Sequence, residues 1–275
     1  MADLTLIAPN LILPPTQATL PCDDGIPMET QRHKVQLELL IDPLMLWLAQ
    51  RTDGYIGGNM FVYFSPNQLK NQDYRGPDFF AVLGVPKSER RSWVIWDEGK
   101  GPDVVIELLS DSTAQVDKTD KKRIYQDQMR VPEYFWFDPF DPEDWAGFVL
   151  QNGIYQPIAA NAQGQRISHR LGLSLVLWQG SFKGIEDITW LRWATLDGKI
   201  LPLPEETVQY EKEQIQLQLA QTQQEKEKAQ IEAAQATGQL QQVVQTLLAQ
   251  GMTVAQVAQL AGLPETQVKQ FGRSI

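Results

Sequence analysis

Upstream of Pro204 the apolar positions change rhythm several times, and each change marks a predicted element. Between Met28 and Gln50 the residues Val35, Leu37, Leu39, Leu40, Met45, Leu46 and Leu48 suggest a helical region. An interruption is expected near Pro43, because proline lacks the N–H that a helix interior uses. Short strand-like runs bounded by glycine and proline follow: YIGGNMFVYF around Met60 to Phe64, DFFAVLGV from Asp78, SWVIW from Ser92 and DVVIELL from Asp103. Together they predict a β-meander. A helix is expected from Asp117 to about Met129, then a strand within VPEYFWFDP, Val131 to Pro139, then hairpins with Gly153, Gly172 and Gly180 near their turns.

At Pro204 the pattern shifts abruptly. Between Glu205 and Gln250 there are 14 Gln, 7 Glu and 3 Lys with Tyr210 as the single aromatic, so this stretch cannot build its own core yet favours a long helix. Val208, Ile215, Thr222, Ala229, Ala236 and Val243 recur every seventh residue, and Leu219, Ala233, Leu240 and Leu247 alternate with them. That thin seam, interrupted by Lys212 and Lys226, favours self-association through a coiled coil, with a homo-oligomer expected, or docking of the helix on a partner; the alternative is a helix that frays in solvent, because Ala, Thr and Lys at core positions bury little area. The last segment reads as two short helices broken at Gly262, with Pro264 at the first helical position of the second. Its few basic residues, Lys269 and Arg273, favour a helical hairpin or dimer contact over DNA readout. The expected organisation is an extended proline-rich arm over residues 1–22, a globular domain over 23–203, the Gln-rich helix over 204–250 and a hairpin over 251–275.

Composition narrows the class. With 43% hydrophobic residues the chain can bury a full core. The single cysteine, Cys22, excludes an internal disulfide framework and a cysteine-based zinc site and fits a reducing compartment. No segment approaches the roughly 20 uninterrupted apolar residues that span a bilayer, so a cytoplasmic protein with no membrane partner is expected. A formal charge of −10 is the wrong sign for coating nucleic acid nonspecifically. Any such contact is local or assisted by metal or a partner.

The candidate chemistry centres on PDVVIELLSDSTAQVDKTDKKRIY, Pro102 to Tyr125. With a period of two, Asp103, Val105, Glu107 and Leu109 share one strand face, which leaves Glu107 in the middle of an apolar strand. A carboxylate there must be paired, metal-bound or partly wet. Asp103 cannot easily share a metal with it, because four strand residues span about 13 Å. A second ligand is better drawn from a neighbouring strand, where Asp78 opens DFFAVLGV. Asp78, Glu107 and the backbone carbonyl of Leu108 form a hard oxygen set that suits Mg²⁺ or Mn²⁺. A metal-bound water attacking a phosphodiester gains from a nearby cation, which Lys121 or Lys122 supplies. Structural alternatives stand beside these roles: Asp78 as a turn cap after Pro77, Glu107 in a metal-free ion pair with Lys121, Asp103 in a turn hydrogen bond, Tyr125 in core packing. His33 and Glu38 on the first helix are secondary candidates.

The order GPD at Gly76 to Asp78, PDVVIELLS, Ser112-Thr113, Asp117, Lys121 and Tyr125, then VPEYFWFDP resembles the Uma family of restriction-endonuclease-like proteins, in a cyanobacterial branch. That family belongs to the PD-(D/E)XK nuclease superfamily, and the likeness is best over residues 54–139. It implies an α/β fold: a restriction-endonuclease-like core with a central mixed β-sheet flanked by helices, here followed by the long C-terminal helix. It also implies a metal-dependent endonuclease acting on DNA, with Asp78 and Glu107 as metal-binding acids and Lys121 as the catalytic lysine. The chain departs from the superfamily pattern two residues after Glu107, where Leu109 replaces lysine. The alternative is a catalytically inactive nuclease-like scaffold that assembles through its C-terminal helix.

Overall fold

The computed structural model describes residues 14–23, 28, 30–67 and 73–273. Its first helix, α1 (Gln31–Ala49), is capped by Thr30, whose side chain accepts from the His33 N–H. Strands β1 (Tyr55–Gly57), β2 (Val62–Tyr63), β3 (Tyr74–Arg75), β4 (Phe79–Val82) and β5 (Trp93–Val94) precede the one-turn helix α2 (Ile95–Glu98) and strand β6 (Val104–Leu108). Helix α3 (Ala114–Val116), a π-helical turn (Asp117–Lys121) and α4 (Lys122–Asp127) then run on as one continuous element. Strands β7 (Glu133–Phe137), β8 (Trp145–Gln151), β9 (Ile154–Pro157), β10 (Arg166–Ser168), β11 (Leu173–Phe182) and β12 (Ile185–Ala194) follow, and α5 (Pro204–Ala249), α6 (Val254–Ala261) and α7 (Glu265–Gly272) come last. Contacts divide the chain into two units, Met1–Glu206 and Thr207–Ile275.

The fold of the first unit is mixed α/β. Its main sheet has the order β1-β4-β6-β7-β8-β9 and is antiparallel except between β6 and β7. Parallel neighbours need a crossover, and the α3–α4 element provides it, folding back over the sheet between its two most central strands. Side chains alternate across β6. Val104, Ile106 and Leu108 face the leucines of α1 and the inner residues of β11 and β12, including Leu175, Leu191 and Trp193. Val105 faces Phe80, Val82 and Tyr134, with Ile124, Tyr125 and Met129 from the crossover. Helices therefore cover both faces, and the centre of β6 is dry.

Several expectations need correction. The strands do not form a simple meander: β3, β2 and β5 leave the main sheet and make one of their own, and β10, β11 and β12 make another. Residues 95 and 96 turn into helix α2 and do not extend β5. Pro43 does not interrupt α1, which runs through it with the proline buried; its ring sacrifices one ladder bond, and packing of the apolar helix face offsets that loss. Gly180 lies within β11 and not in a turn, because the Trp178 ring covers it so closely that a Cβ would fall 2.2 Å from Cζ2. The turn is made instead by Lys183 and Gly184, both with positive φ. Pro264 is the N-cap of α7 and not its first residue. Of the expected N-terminal arm, residues 1–13 lie outside the described residues; Leu20 docks against Phe61, Tyr63 and Val94.

In the second unit, Val244 at the end of α5 meets Val257 of α6 and Val268 of α7 in a small apolar centre. Thr253 and Gln256 form a reciprocal cap at the start of α6.

The link between β1 and β2 pins the turn that precedes β4. The Asn59 N–H reaches the carbonyls of Pro77 and Asp78, both at 3.1 Å, and a Cβ on Gly58 would lie 2.3 Å from the Asp78 carbonyl oxygen. Because that oxygen is backbone, it cannot swing aside. Gly58→Ala is expected to cost about 1–3 kcal/mol, read as a lower urea midpoint; an unchanged midpoint would contradict this close approach.

Candidate active site

Glu107 sits on β6 with its side chain fully buried. The antiparallel register that pairs Phe79 with Ile106 brings Asp78, just before β4, opposite it. Asp78 Oδ2 accepts from the Leu108 N–H at 2.7 Å, and the Asp78 N–H approaches Glu107 Oε2 at 3.5 Å. Leu108 thus meets Asp78 through its N–H; its carbonyl, the ligand expected from the sequence, is a separate group that this bond does not engage. The crossover supplies the remaining partners: the Tyr125 hydroxyl donates to Glu107 Oε1 at 2.6 Å, and Lys121 Nζ lies 3.2 Å from Oε2.

Lys121 also lies 2.7 Å from Asp117 Oδ1. Asp117 is buried, its carboxylate is engaged by Lys121, and its carbonyl accepts from Tyr134 at 2.9 Å. Asp117, Lys121 and Tyr125 are spaced four and four. In an α-helix each such step overshoots a full turn by about 40°, so three residues would drift off one line. The wider turn from Asp117 to Lys121 is π-helical and undershoots, which opposes the α-helical step from Lys121 to Tyr125. All three side chains consequently remain beside Glu107. Asp117 and its π turn are the parts of the site whose role periodicity did not reveal; the repeated spacing of four was the available signal.

The electrostatics follow from the crowding. Burial pushes Glu107 up to about 7; Lys121 and Tyr125 oppose the rise, and Asp78 adds to it. Burial likewise raises Asp117, to about 6, with the Glu107 charge contributing, and raises Asp78. Burial alone would lower the Lys121 ammonium, but Glu107, Asp117 and Asp78 outweigh it and hold the group above its ordinary range. One cation thus faces three carboxylates. The surplus negative charge fits a divalent cation, and the available side-chain donors are hard oxygens. Among the described residues no three His, Cys, Asp or Glu side chains are arranged to hold a metal ion. The fit is therefore to an open site with two carboxylates, Asp78 and Glu107, of the kind Mg²⁺ completes with water.

The other candidates have structural partners. His33 Nε2 donates to the Leu109 carbonyl at 2.8 Å while Nδ1 meets Thr30, so His33 ties α1 to the end of β6. Leu109, two residues after Glu107, is buried. Glu38 pairs with Lys183 at 2.7 Å. Asp103 accepts from the Leu83 N–H at 2.8 Å and pairs with Lys100 at 2.7 Å, the turn role expected of it. Lys122 lies over the Phe148 ring, 3.4 Å from its centre. Ser110 hydrogen-bonds the Thr113 N–H at 3.2 Å, a turn contact.

The raised carboxyls carry a sign. Without metal, the folded protein holds extra protons from pH 4.5 to about 7 at Glu107 and from 3.8 to about 6 at Asp117. The stability they contribute is full below those windows and is lost as pH rises through them. The thermal midpoint of metal-free protein is expected to fall from about pH 5 to about pH 8 more steeply than that of Glu107→Gln. Parallel profiles from scanning calorimetry would contradict the assignment.

Among known proteins the chain matches one family profile and is similar to a solved structure. No curated protein matches it significantly. A solved structure from Anabaena variabilis, described as a "putative nuclease" of DUF820, is similar with a TM-score of 0.40 and 12% identity over 53% of this chain and 76% of that one. The Uma2 family profile, described as "Putative restriction endonuclease", matches residues 22–181, more than half of the chain. That match includes Asp78, Glu107, Asp117, Lys121 and Tyr125, and the chain belongs to the Uma2 family, described as "Putative restriction endonuclease".

Proposed function

We propose that the protein is a metal-dependent endonuclease that hydrolyses DNA phosphodiester bonds, with Asp78 and Glu107 holding Mg²⁺ or Mn²⁺. The observation that carries this reading is the contact of Lys121 with Glu107, at 3.2 Å. A lysine from the crossover reaches the acid that lacks a lysine on its own strand. When bound, the metal supplies an activated water and charge stabilisation at the phosphate. Lys121 retains its proton among three carboxylates, so it serves as a fixed positive charge and hydrogen-bond donor, not as a base. It orients the attacking water and steadies charge growing on the phosphate oxygens. Asp117 positions Lys121 and Tyr125 positions Glu107.

Purified protein with Mg²⁺ or Mn²⁺ is expected to cut plasmid or oligonucleotide DNA. Removing the lysine donor in Lys121→Met should slow cleavage by about 10²–10³-fold, and Asp78→Asn and Glu107→Gln should abolish calorimetric Mn²⁺ binding. No cleavage with either metal, or a Glu107→Gln protein as active as the parent, would sink the nuclease reading in favour of an inactive scaffold.

We also infer a homo-oligomer through α5. Its seam residues Val208, Ile215, Leu219 and Val243 are exposed within the chain, Ile215 by 66%. A long polar helix with little tertiary packing gains stability by burying such a seam against a copy of itself. The intact chain should sediment as a dimer or larger species, and Ile215→Asp with Leu219→Asp should dissociate it. A monomeric parent would overturn this inference.

A further inference from the structure

Arg75 ends β3 and leads through Gly76 and Pro77 directly into Asp78. It is half-buried, and its Nη1 donates to the Tyr74 carbonyl at 2.6 Å. The Phe64 ring is at the edge of cation–π reach, 6.0 Å from the guanidinium carbon. Two other guanidinium groups, more deeply buried, are neutralised: Arg90 by Glu98 at 2.6 Å and Arg192 by Glu206 at 3.0 Å; Arg166, partly buried like Arg75, is instead stacked over the Trp145 ring at 3.9 Å. Among the described residues no carboxylate lies at ion-pair distance from Arg75. Its electrostatic neighbours are instead Tyr125, Glu107, Asp120 and Asp73, with burial the largest influence on the group.

A partly buried cation without an ion pair is costly unless something else offsets it. Here the offset is the negative charge of the site, which Arg75 feels without touching. Most of its N–H donors remain uncommitted, and a guanidinium presents them as a planar fork that matches two phosphate oxygens. A nucleic-acid strand approaching the acids is repelled by them, and Lys121 is already occupied by Glu107 and Asp117. Arg75 is a cation beside the site that is not so occupied.

We propose that Arg75 grips a backbone phosphate of the bound strand beside the acidic centre and so aligns that strand over Asp78 and Glu107. The assignment rests on the nuclease reading. It makes Arg75 a residue of affinity and register, indifferent to base sequence, since phosphate contacts position a strand without reading it.

The test uses the full chain carrying Glu107→Gln, which prevents cleavage, with duplex oligonucleotide binding followed by fluorescence anisotropy across a salt series. Adding Arg75→Gln keeps a donor for the Tyr74 carbonyl but removes the charge. It should reduce the slope of log affinity against log salt by about one and weaken binding by about tenfold, with an unchanged melting temperature. Arg75→Lys, a point charge without the fork, should keep the slope and recover part of the affinity. If Arg75→Gln binds with the slope and affinity of the Glu107→Gln parent, the Arg75 assignment falls while the nuclease reading stands. If the Glu107→Gln parent binds no DNA while the wild-type chain also cuts none, both fall together.

Discussion

A carboxylate in the middle of a dry central strand is the constraint on which the site depends. Glu107 is buried on both sides of β6 by aromatic and aliphatic neighbours, and an isolated charge there would be expelled or neutralised. The structure meets that demand with a tyrosine hydroxyl, a lysine ammonium and the opposing turn at Asp78. The first two come from the crossover and the third from the turn before β4, so the site forms only when β4, β6 and the crossover have packed. The parallel β6–β7 pairing forces that crossover, and the crossover carries the lysine.

Much of the core was legible because burial and periodicity agree. The apolar run DVVIELL becomes the central strand, VPEYFWFDP becomes its parallel neighbour, and the leucines of α1 cover one face. The failures have local causes. Pro43 loses its helix-breaking force when its helix is held by the sheet, and Gly180 is required by the Trp178 ring and not by a turn. Strands of two residues, such as β2, β3 and β5, have too little periodicity to reveal which sheet they join.

The site was legible in part for a related reason. Strand alternation isolates Glu107 and separates it from Asp103, and the motif order points to Asp78 and Lys121. Asp117 stood in that motif order without a role, and Arg75 escaped this reading. Asp117 comes to the acids through a π turn, whose extra width no hydrophobic pattern announces. Arg75 lies on a strand of only two residues, and its distinction is a guanidinium without an ion pair beside the acidic centre, which becomes visible only when its surroundings are assembled.

The net charge of −10 and the crowded acids place the same requirement on function. Three carboxylates around one lysine repel a phosphate, and a bound metal ion, or removal of one carboxylate as in Glu107→Gln, relieves that repulsion. The most direct measurement is a crystal of the full chain soaked in Mn²⁺ and examined by anomalous diffraction. The account predicts a peak about 2.1 Å from oxygens of both Asp78 and Glu107, with Lys121 still adjacent. A crystal whose two carboxylates bind no metal, with Glu107 still paired only to Lys121 and Tyr125, would contradict it.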